Sequence, residues 1–255
     1  MALDEALLLS SSQKLSPPTL RLYSWQPPAI SIGYAQKISD VDLVALSQNN
    51  WGIVRRPTGG KAILHIDELT YSITAPLDDP MMAGSLLDSY RRISAALQRS
   101  LELLGITTAA DQQYPNLSGQ KSTDAVCFKT PSNFEITWNE KKLIGSAQAR
   151  KAGGVLQHGS IPLFGDLSRI TQGLNYASQN DRELAAQQTR ERAVTLEKAD
   201  GHLITWEQVS EAMIAGFSSQ FGIQLMSDEP TQNELAEAEK LVQTKYASSS
   251  WTNRI

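Results

Sequence analysis

The chain has 255 residues, 41% hydrophobic and 20% charged, enough to bury a sizeable core in one large domain or two small ones. A net charge of −4 offers no basic footprint for nucleic acid, and no run reaches the roughly eighteen apolar residues of a membrane span. Cys127 is the only cysteine, which excludes an internal disulfide framework and favours a reducing compartment. The opening MALDEALLLSSS carries Asp4 and Glu5 where a signal peptide would be positive, so a soluble, cytoplasmic globule is expected.

Residues 2–10 read as a helix, with Asp4 and Glu5 suiting the dipole of its first turn and Leu3, Ala6, Leu7 and Ser10 sharing one face. A Ser/Pro-rich turn around Pro17 and Pro18 ends it. Strands follow over 19–23, where Leu20 and Leu22 alternate with polar neighbours, and over 29–33. Residues 40–48 read as a short helix. A strand through Ile53 and Val54 comes next, then the turn Pro57-Thr58-Gly59-Gly60, then extended runs over 62–65 and 69–75. The clearest period spans 85–104, where Leu86, Tyr90, Ile93, Leu97, Leu101 and Leu104 form a core stripe and Gly105 stands at the position of a left-handed cap.

Residues 106–124 are polar and without period, which predicts a long loop, and Cys127 lies just past its end. Strands over 134–138 and 142–147 flank the turn Asn139-Glu140-Lys141, and Gly153-Gly154 leads into a third strand over 155–161. Residues 166–197 predict short helices over the sheet. Thr205 with Gln208, and Thr231 with Glu234, have capping-box spacing and open two closing helices. With no repeat or break in composition, one domain over 1–255 is expected, of α/β (α+β) class: a mixed, largely antiparallel sheet packed with helices.

A lone cysteine is explained by packing or by chemistry. As a nucleophile Cys127 needs activation, because a thiol of pKa about 8.5 is only a few per cent thiolate at neutral pH. A nearby ammonium would favour the thiolate, and Lys121, Lys129 and Lys142 are candidates that position alone does not separate. RRPTGGKAILH, from Arg55 to His65, joins two strands through adjacent glycines that let the backbone approach a ligand and present N–H groups to it. The plainer reading is a hairpin turn with solvated arginines. His65 either closes a pocket or is a satisfied, partly buried histidine. GSAQ at 145–148 and HGS at 158–160 fall on neighbouring strands, where small residues leave a slot for an alkyl chain or accommodate a packed helix.

In order, RRPTGGKAILHIDELTYS, AVCFKTPSNFEI, KLIGSAQAR and VLQHGSI resemble the LipM-type octanoyltransferases of the biotin/lipoate protein ligase superfamily. MALDEALL, SIGYAQ and KYASSSW extend the likeness nearly end to end. The resemblance implies the biotin/lipoyl protein ligase catalytic fold, including a small accessory sheet. It implies transfer of octanoyl from octanoyl-acyl carrier protein to a lysine of a lipoyl domain, such as glycine cleavage H protein or 2-oxoacid dehydrogenase E2, in lipoate biosynthesis. No cofactor or metal, no nucleic acid and no membrane enter that expectation, and a monomer is expected. Cys127 becomes the acyl-thioester nucleophile and Lys142 the residue that lowers its pKa and shuttles protons. Arg56, Thr58, Gly59, Gly60, His65, Gly145, Ser146, Ala147, His158 and Gly159 line the acyl tunnel by the same likeness.

The family usually carries a further short segment, including a strand, before the helix at which this sequence begins. Three other readings use the same residues: an ATP-dependent lipoate–protein ligase, an amidotransferase moving octanoyl between lipoylated proteins, and a catalytically silent acyl-carrier-binding module. The cysteine weighs against the first, and retention of both Cys127 and Lys142 against the last.

Overall fold

The computed structural model describes residues 1–109 and 135–255, so Cys127, Lys121, Lys129 and most of the expected 106–124 loop lie outside the described residues. A five-stranded sheet has the order β1 (Thr19–Tyr23), β5 (Glu68–Pro76), β8 (Gly154–Pro162), β7 (Lys141–Lys151), β6 (Ile136–Trp138), with every neighbouring pair antiparallel. A smaller sheet has the order β3 (Gly52–Arg55), β2 (Ala29–Ile32), β4 (Ile63–His65), with β2 parallel to β3 and antiparallel to β4. This is the mixed, largely antiparallel architecture with an accessory sheet that the sequence led us to expect.

Alternation along ELTYSITAP of β5 divides the large sheet into two faces. Leu69, Tyr71 and Ile73 point into the main core with Val155 and Ile161, against α3 (Leu86–Leu103) and α6 (Trp206–Phe221), which contribute Ile93, Leu97, Leu101, Val209, Met213 and Phe217. Ser85 and Asp88 cap α3 reciprocally, and Gly105 follows it at φ +81°. Of the stripe expected on α3, Leu86 in the first turn is instead exposed. The other face of the sheet carries Glu68, Thr70 and Ser72 opposite Pro162, Ser160 and His158, and it too is buried.

That polar face corrects the reading of the first helix, α1 (Ala2–Ser12). Asp4 and Glu5 turn inward and are buried, whereas Leu3 and Ser10 are only partly covered. A carboxylate is buried at tolerable cost only when its oxygens are paired. Asp4 accepts from Arg21 at 2.9 Å, from the Ser72 hydroxyl at 2.7 Å and from Tyr23 at 3.2 Å. Glu5 accepts from Lys245 at 2.6 Å and also from Lys151 and Tyr246, which ties α1 to β7 and to the C-terminal segment.

The 55–65 segment is not a hairpin, because β2 lies between β3 and β4. Its Gly-Gly turn passes over the end of β2, where a Cβ on Gly33 would stand 1.9 Å from the Gly60 carbonyl oxygen. Over 40–48, Asp42 accepts the Ala45 N–H at 2.9 Å and starts α2 (Leu43–Gln48) late, behind a 3₁₀ turn at Ile38–Asp40. The β6–β7 turn has Asn139 and Glu140 at positive φ, and the β7–β8 turn is made by Ala152 and Gly153, one residue earlier than expected.

Within 166–197 the longest element is α4 (Gln179–Arg192), where only Ala185 and Thr189 are buried, so it has no apolar stripe to read. It is followed by α5 (Leu196–Asp200). Both expected capping boxes form, on α6 and on α7 (Gln232–Leu241). The chain then continues through a π turn at Val242–Tyr246 into α8 (Ser249–Thr252). Arg55, fully buried, donates to the Thr252 carbonyl at 2.7 Å and to the Gly33 carbonyl at 2.8 Å, fastening that segment to the small sheet. Among the described residues, no helix is long and apolar enough to cross a membrane.

Candidate active site

Antiparallel pairing of β7 with β8 sets Gly145 opposite Ser160, Ser146 opposite Gly159 and Ala147 opposite His158, so the two small-residue motifs lie side by side. Arg56, Gly60, Ile63 and His65 of the small-sheet region close over them, with Ser31 and Thr70, around about 400 Å³ of empty space that includes an open mouth. Eight of the ten tunnel residues expected from the sequence line this slot. The other two stand behind it: Thr58 Oγ1 is 2.6 Å from His158 Nε2, and the Gly59 carbonyl accepts from the Arg56 guanidinium at 2.8 and 3.1 Å.

Both meanings of the small residues hold, at different faces. A Cβ on Gly159 would stand 2.5 Å from Tyr71 Cε1 and 2.7 Å from the Gly145 carbonyl oxygen, so this glycine seats a core tyrosine. The Tyr71 hydroxyl meets Ser146 Oγ at 2.6 Å, and burial pushes its pKa up to about 12. On the opposite side of the strand the same glycine backbone is slot wall.

The arginines are not solvated. Arg56, 3% exposed, donates to the Ser31 carbonyl at 2.9 Å and to the Lys61 carbonyl at 2.7 Å, bracing the Gly-Gly turn. His65 is buried, at 5% exposure. Its Nδ1 is 2.6 Å from Glu68 Oε1, its Nε2 is 2.7 Å from Ser31 Oγ, and Trp25 stacks on the ring at 4.3 Å. Thr70 and Ser160 also donate to Glu68. The slot thus turns most of its polar atoms onto one another and leaves its walls to carbon. His158 is the exception, its Nδ1 buried without a hydrogen-bond partner among the described residues. Burial, reinforced by Arg56 and only partly opposed by Asp4, pushes the His158 pKa down to about 3, so the ring is neutral.

Lys142 is the second residue of β7, three before Gly145, and pairs with Thr137 across β6–β7. Its side chain is 6% exposed, and its Nζ lies 2.5 Å from Glu135 Oε1. The Lys142 carbonyl accepts the Val194 N–H at 3.0 Å, which holds the start of β7 against the segment after α4. Sequence reasoning missed Glu135, Ser31 and Glu68. A signal for the first existed, because period two over 134–138 puts Glu135 and Thr137 on one face and Ile136 on the core side.

Residues 1–218 match the family model of the lipoyl protein ligase A/B catalytic domain. A relative named octanoyltransferase LipM from Kyrpidia tusciae is 41% identical over 259 residues, covering 100% of this chain and 93% of that protein. Another of that name, from Brevibacillus brevis, is 37% identical over 260 residues, covering 100% of this chain and 94% of that protein. Among solved structures, a bipartite lipoate protein ligase from Thermoplasma acidophilum has a TM-score of 0.80 at 26% identity, covering 99% of this chain and 89% of that one. Lipoate-protein ligase A bound with ATP has a TM-score of 0.79 at 27% identity, covering 99% of this chain and 92% of that one. The chain therefore belongs to the lipoyl protein ligase A/B catalytic family, and the two relatives named here, which it matches over its whole length, are octanoyltransferases.

Proposed function

We propose that this acyltransferase moves an octanoyl group from octanoyl-acyl carrier protein to a lysine of a lipoyl-domain protein, in lipoate biosynthesis, through a thioester on Cys127. The observation that supports this reading most is the position of Lys142. It is a buried cation at the head of the strand whose next residues, Gly145, Ser146 and Ala147, wall a narrow slot.

The Cys127 thiolate attacks the carrier's thioester carbonyl, the carrier thiolate departs, and the acyl-enzyme has nearly the energy of the starting thioester. Aminolysis by the acceptor lysine then makes a more stable amide, so the overall transfer runs downhill without adenylation. Lys142 favours the thiolate and relays the proton between the departing thiol and the incoming amine. Backbone donors of the Gly59-Gly60 turn hold the tetrahedral oxyanion, and the acyl chain lies between Arg56, His65 and the paired motifs. The unit that does this is residues 1–255, working as a monomer in the cytoplasm, on an acceptor such as glycine cleavage H protein or a 2-oxoacid dehydrogenase E2.

Likeness to an ATP-bound ligase favours a second reading, in which free acid is activated with ATP. Energy source separates the two. With octanoyl-acyl carrier protein and a lipoyl-domain acceptor, modification should proceed with ATP absent and Mg²⁺ chelated. With free octanoate, ATP and Mg²⁺, the acceptor should stay unmodified; the opposite pattern assigns the chain to the ligases.

A further inference from the structure

Ser31, His65 and Glu68 make a hydrogen-bonded relay to which the proposed transfer gives no chemical step, although the acyl chain lies against His65. Ser31 is fully buried in β2, and its Oγ lies 2.7 Å from His65 Nε2, while His65 Nδ1 lies 2.6 Å from Glu68 Oε1. Thr70 and Ser160 already donate to Glu68, so its oxygens act as acceptors. With an imidazole hydrogen on Nδ1 toward Glu68, Nε2 is the ring atom placed to accept from the serine hydroxyl. Trp25, stacked at 4.3 Å and anchored to Thr70 Oγ1 at 2.9 Å, prevents the ring from swinging away. Arg56 Nη1 stands 3.2 Å from Ser31 Oγ, where it faces any charge that develops on that oxygen. Both Ser31 and His65 line the slot.

Nucleophile, base, orienting carboxylate and a cationic donor thus meet at hydrogen-bond distances on a cavity wall, which is how a serine acyl-transfer centre is recognised, by geometry rather than by sequence order. We infer that Ser31 is a second acyl-accepting nucleophile, giving the chain a hydrolytic activity on activated medium-chain acyl esters that does not need Cys127. In the first step the Ser31 Oγ–carbon bond forms, the ester carbon–oxygen bond breaks, and the serine proton passes through His65 Nε2 to the departing alcohol. In the second, water attacks the acyl-serine, loses a proton to His65, and leaves as the carboxylic acid while Ser31 recovers its proton. Ester and water are the only reactants. The inference rests on the slot being an acyl slot, as the proposed function holds.

The test uses full-length Cys127→Ala protein with p-nitrophenyl octanoate as substrate and a fluorophosphonate as probe. Sustained turnover and a phosphonate adduct mapped to Ser31 are expected. Ser31→Ala should remove the adduct and lower turnover roughly a hundredfold or more, and Glu68→Gln should lower turnover while leaving Ser31 in place. Ser31→Cys, a near-isosteric change, should lose the phosphonate and gain alkylation by iodoacetamide at the same position. If Cys127→Ala does not fold, wild-type protein with its thiol capped by methyl methanethiosulfonate serves instead. Esterolysis indistinguishable from the blank, no adduct on Ser31 in folded protein, or turnover that survives Ser31→Ala overturns the inference. Octanoyl transfer by untreated wild-type enzyme reports separately on the slot and on Cys127, so the failure of one reading is distinguishable from that of the other.

Discussion

The ammonium of Lys142 and the carboxylate of Glu135 form a buried ion pair, 2.5 Å apart with side-chain exposures of 6% and 5%. Taking both charges from water is costly, and removing one partner takes a 2.5 Å ion pair from the other. Lys142→Met and Glu135→Gln should each destabilise the protein by about 3–5 kcal/mol, while the double variant loses clearly less than the sum. Urea denaturation of the four proteins closes the cycle. Strictly additive losses would mean that the two charges are not coupled.

Lys142 also has a kinetic signature. An ammonium favours the thiolate, so Lys142→Met should slow iodoacetamide alkylation of Cys127 at neutral pH by roughly tenfold, about one pKa unit. Lys129→Met should leave the rate-versus-pH curve where it was. If Lys129→Met moves the curve and Lys142→Met does not, the activating lysine has been misassigned.

His158 gives the fold a pH dependence of predictable sign. Its pKa falls from the ordinary 6.5 to about 3 in the folded protein, through burial first and then the Arg56 charge. Below 6.5 the unfolded chain binds a proton that the folded chain refuses, so stability is complete above that pH and declines as pH falls toward 3. The limiting slope is about 1.4 kcal/mol per pH unit. Between pH 6 and 5, above the carboxylate range, His158→Gln should flatten the dependence measured by urea titration. Equal slopes in the two proteins would contradict the neutral, buried state.

Two glycines near the slot should behave oppositely. A Cβ on Gly33 would overlap the Gly60 carbonyl oxygen at 1.9 Å, whereas one on Gly59 meets nothing within 4 Å among the described residues. Gly33→Ala must therefore displace the Gly-Gly turn, costing about 1–3 kcal/mol and lowering transfer. Gly59→Ala should stay within about 0.5 kcal/mol of wild type. Matching melting temperatures for the two variants would show that the turn yields freely.

Elements that carry their own local signal were legible in the sequence. The α3 stripe, the Thr205 and Thr231 capping boxes and the β6–β7 turn each depend on residues within a few positions of one another. Pairings decided by distant segments were not. Nothing near Asp4 announces Arg21 and Ser72, and nothing near Glu5 announces Lys245, so both acids read only as partners of the helix dipole. Insertion of β2 between β3 and β4 is likewise a long-range choice that a turn-rich sequence conceals. At the site, the facing of Gly145–Ala147 and His158–Ser160 followed from hairpin reasoning, whereas the choice of Lys142 among three lysines came only from family resemblance. Glu68 and Ser31 carry no mark of their partners in the sequence, whereas the period-two pattern that sets Glu135 on the face of Thr137 was a signal left unused.

The most direct measurement is intact-mass analysis after mixing the protein with octanoyl-acyl carrier protein, with neither nucleotide nor acceptor present. The expected result is a mass increase of one octanoyl group, removed by neutral hydroxylamine, mapped to Cys127 and absent from Cys127→Ser, which should also fail to modify a lipoyl domain. Transfer to the acceptor that persists in Cys127→Ser at near wild-type rate, with no adduct on the wild-type cysteine, would contradict it.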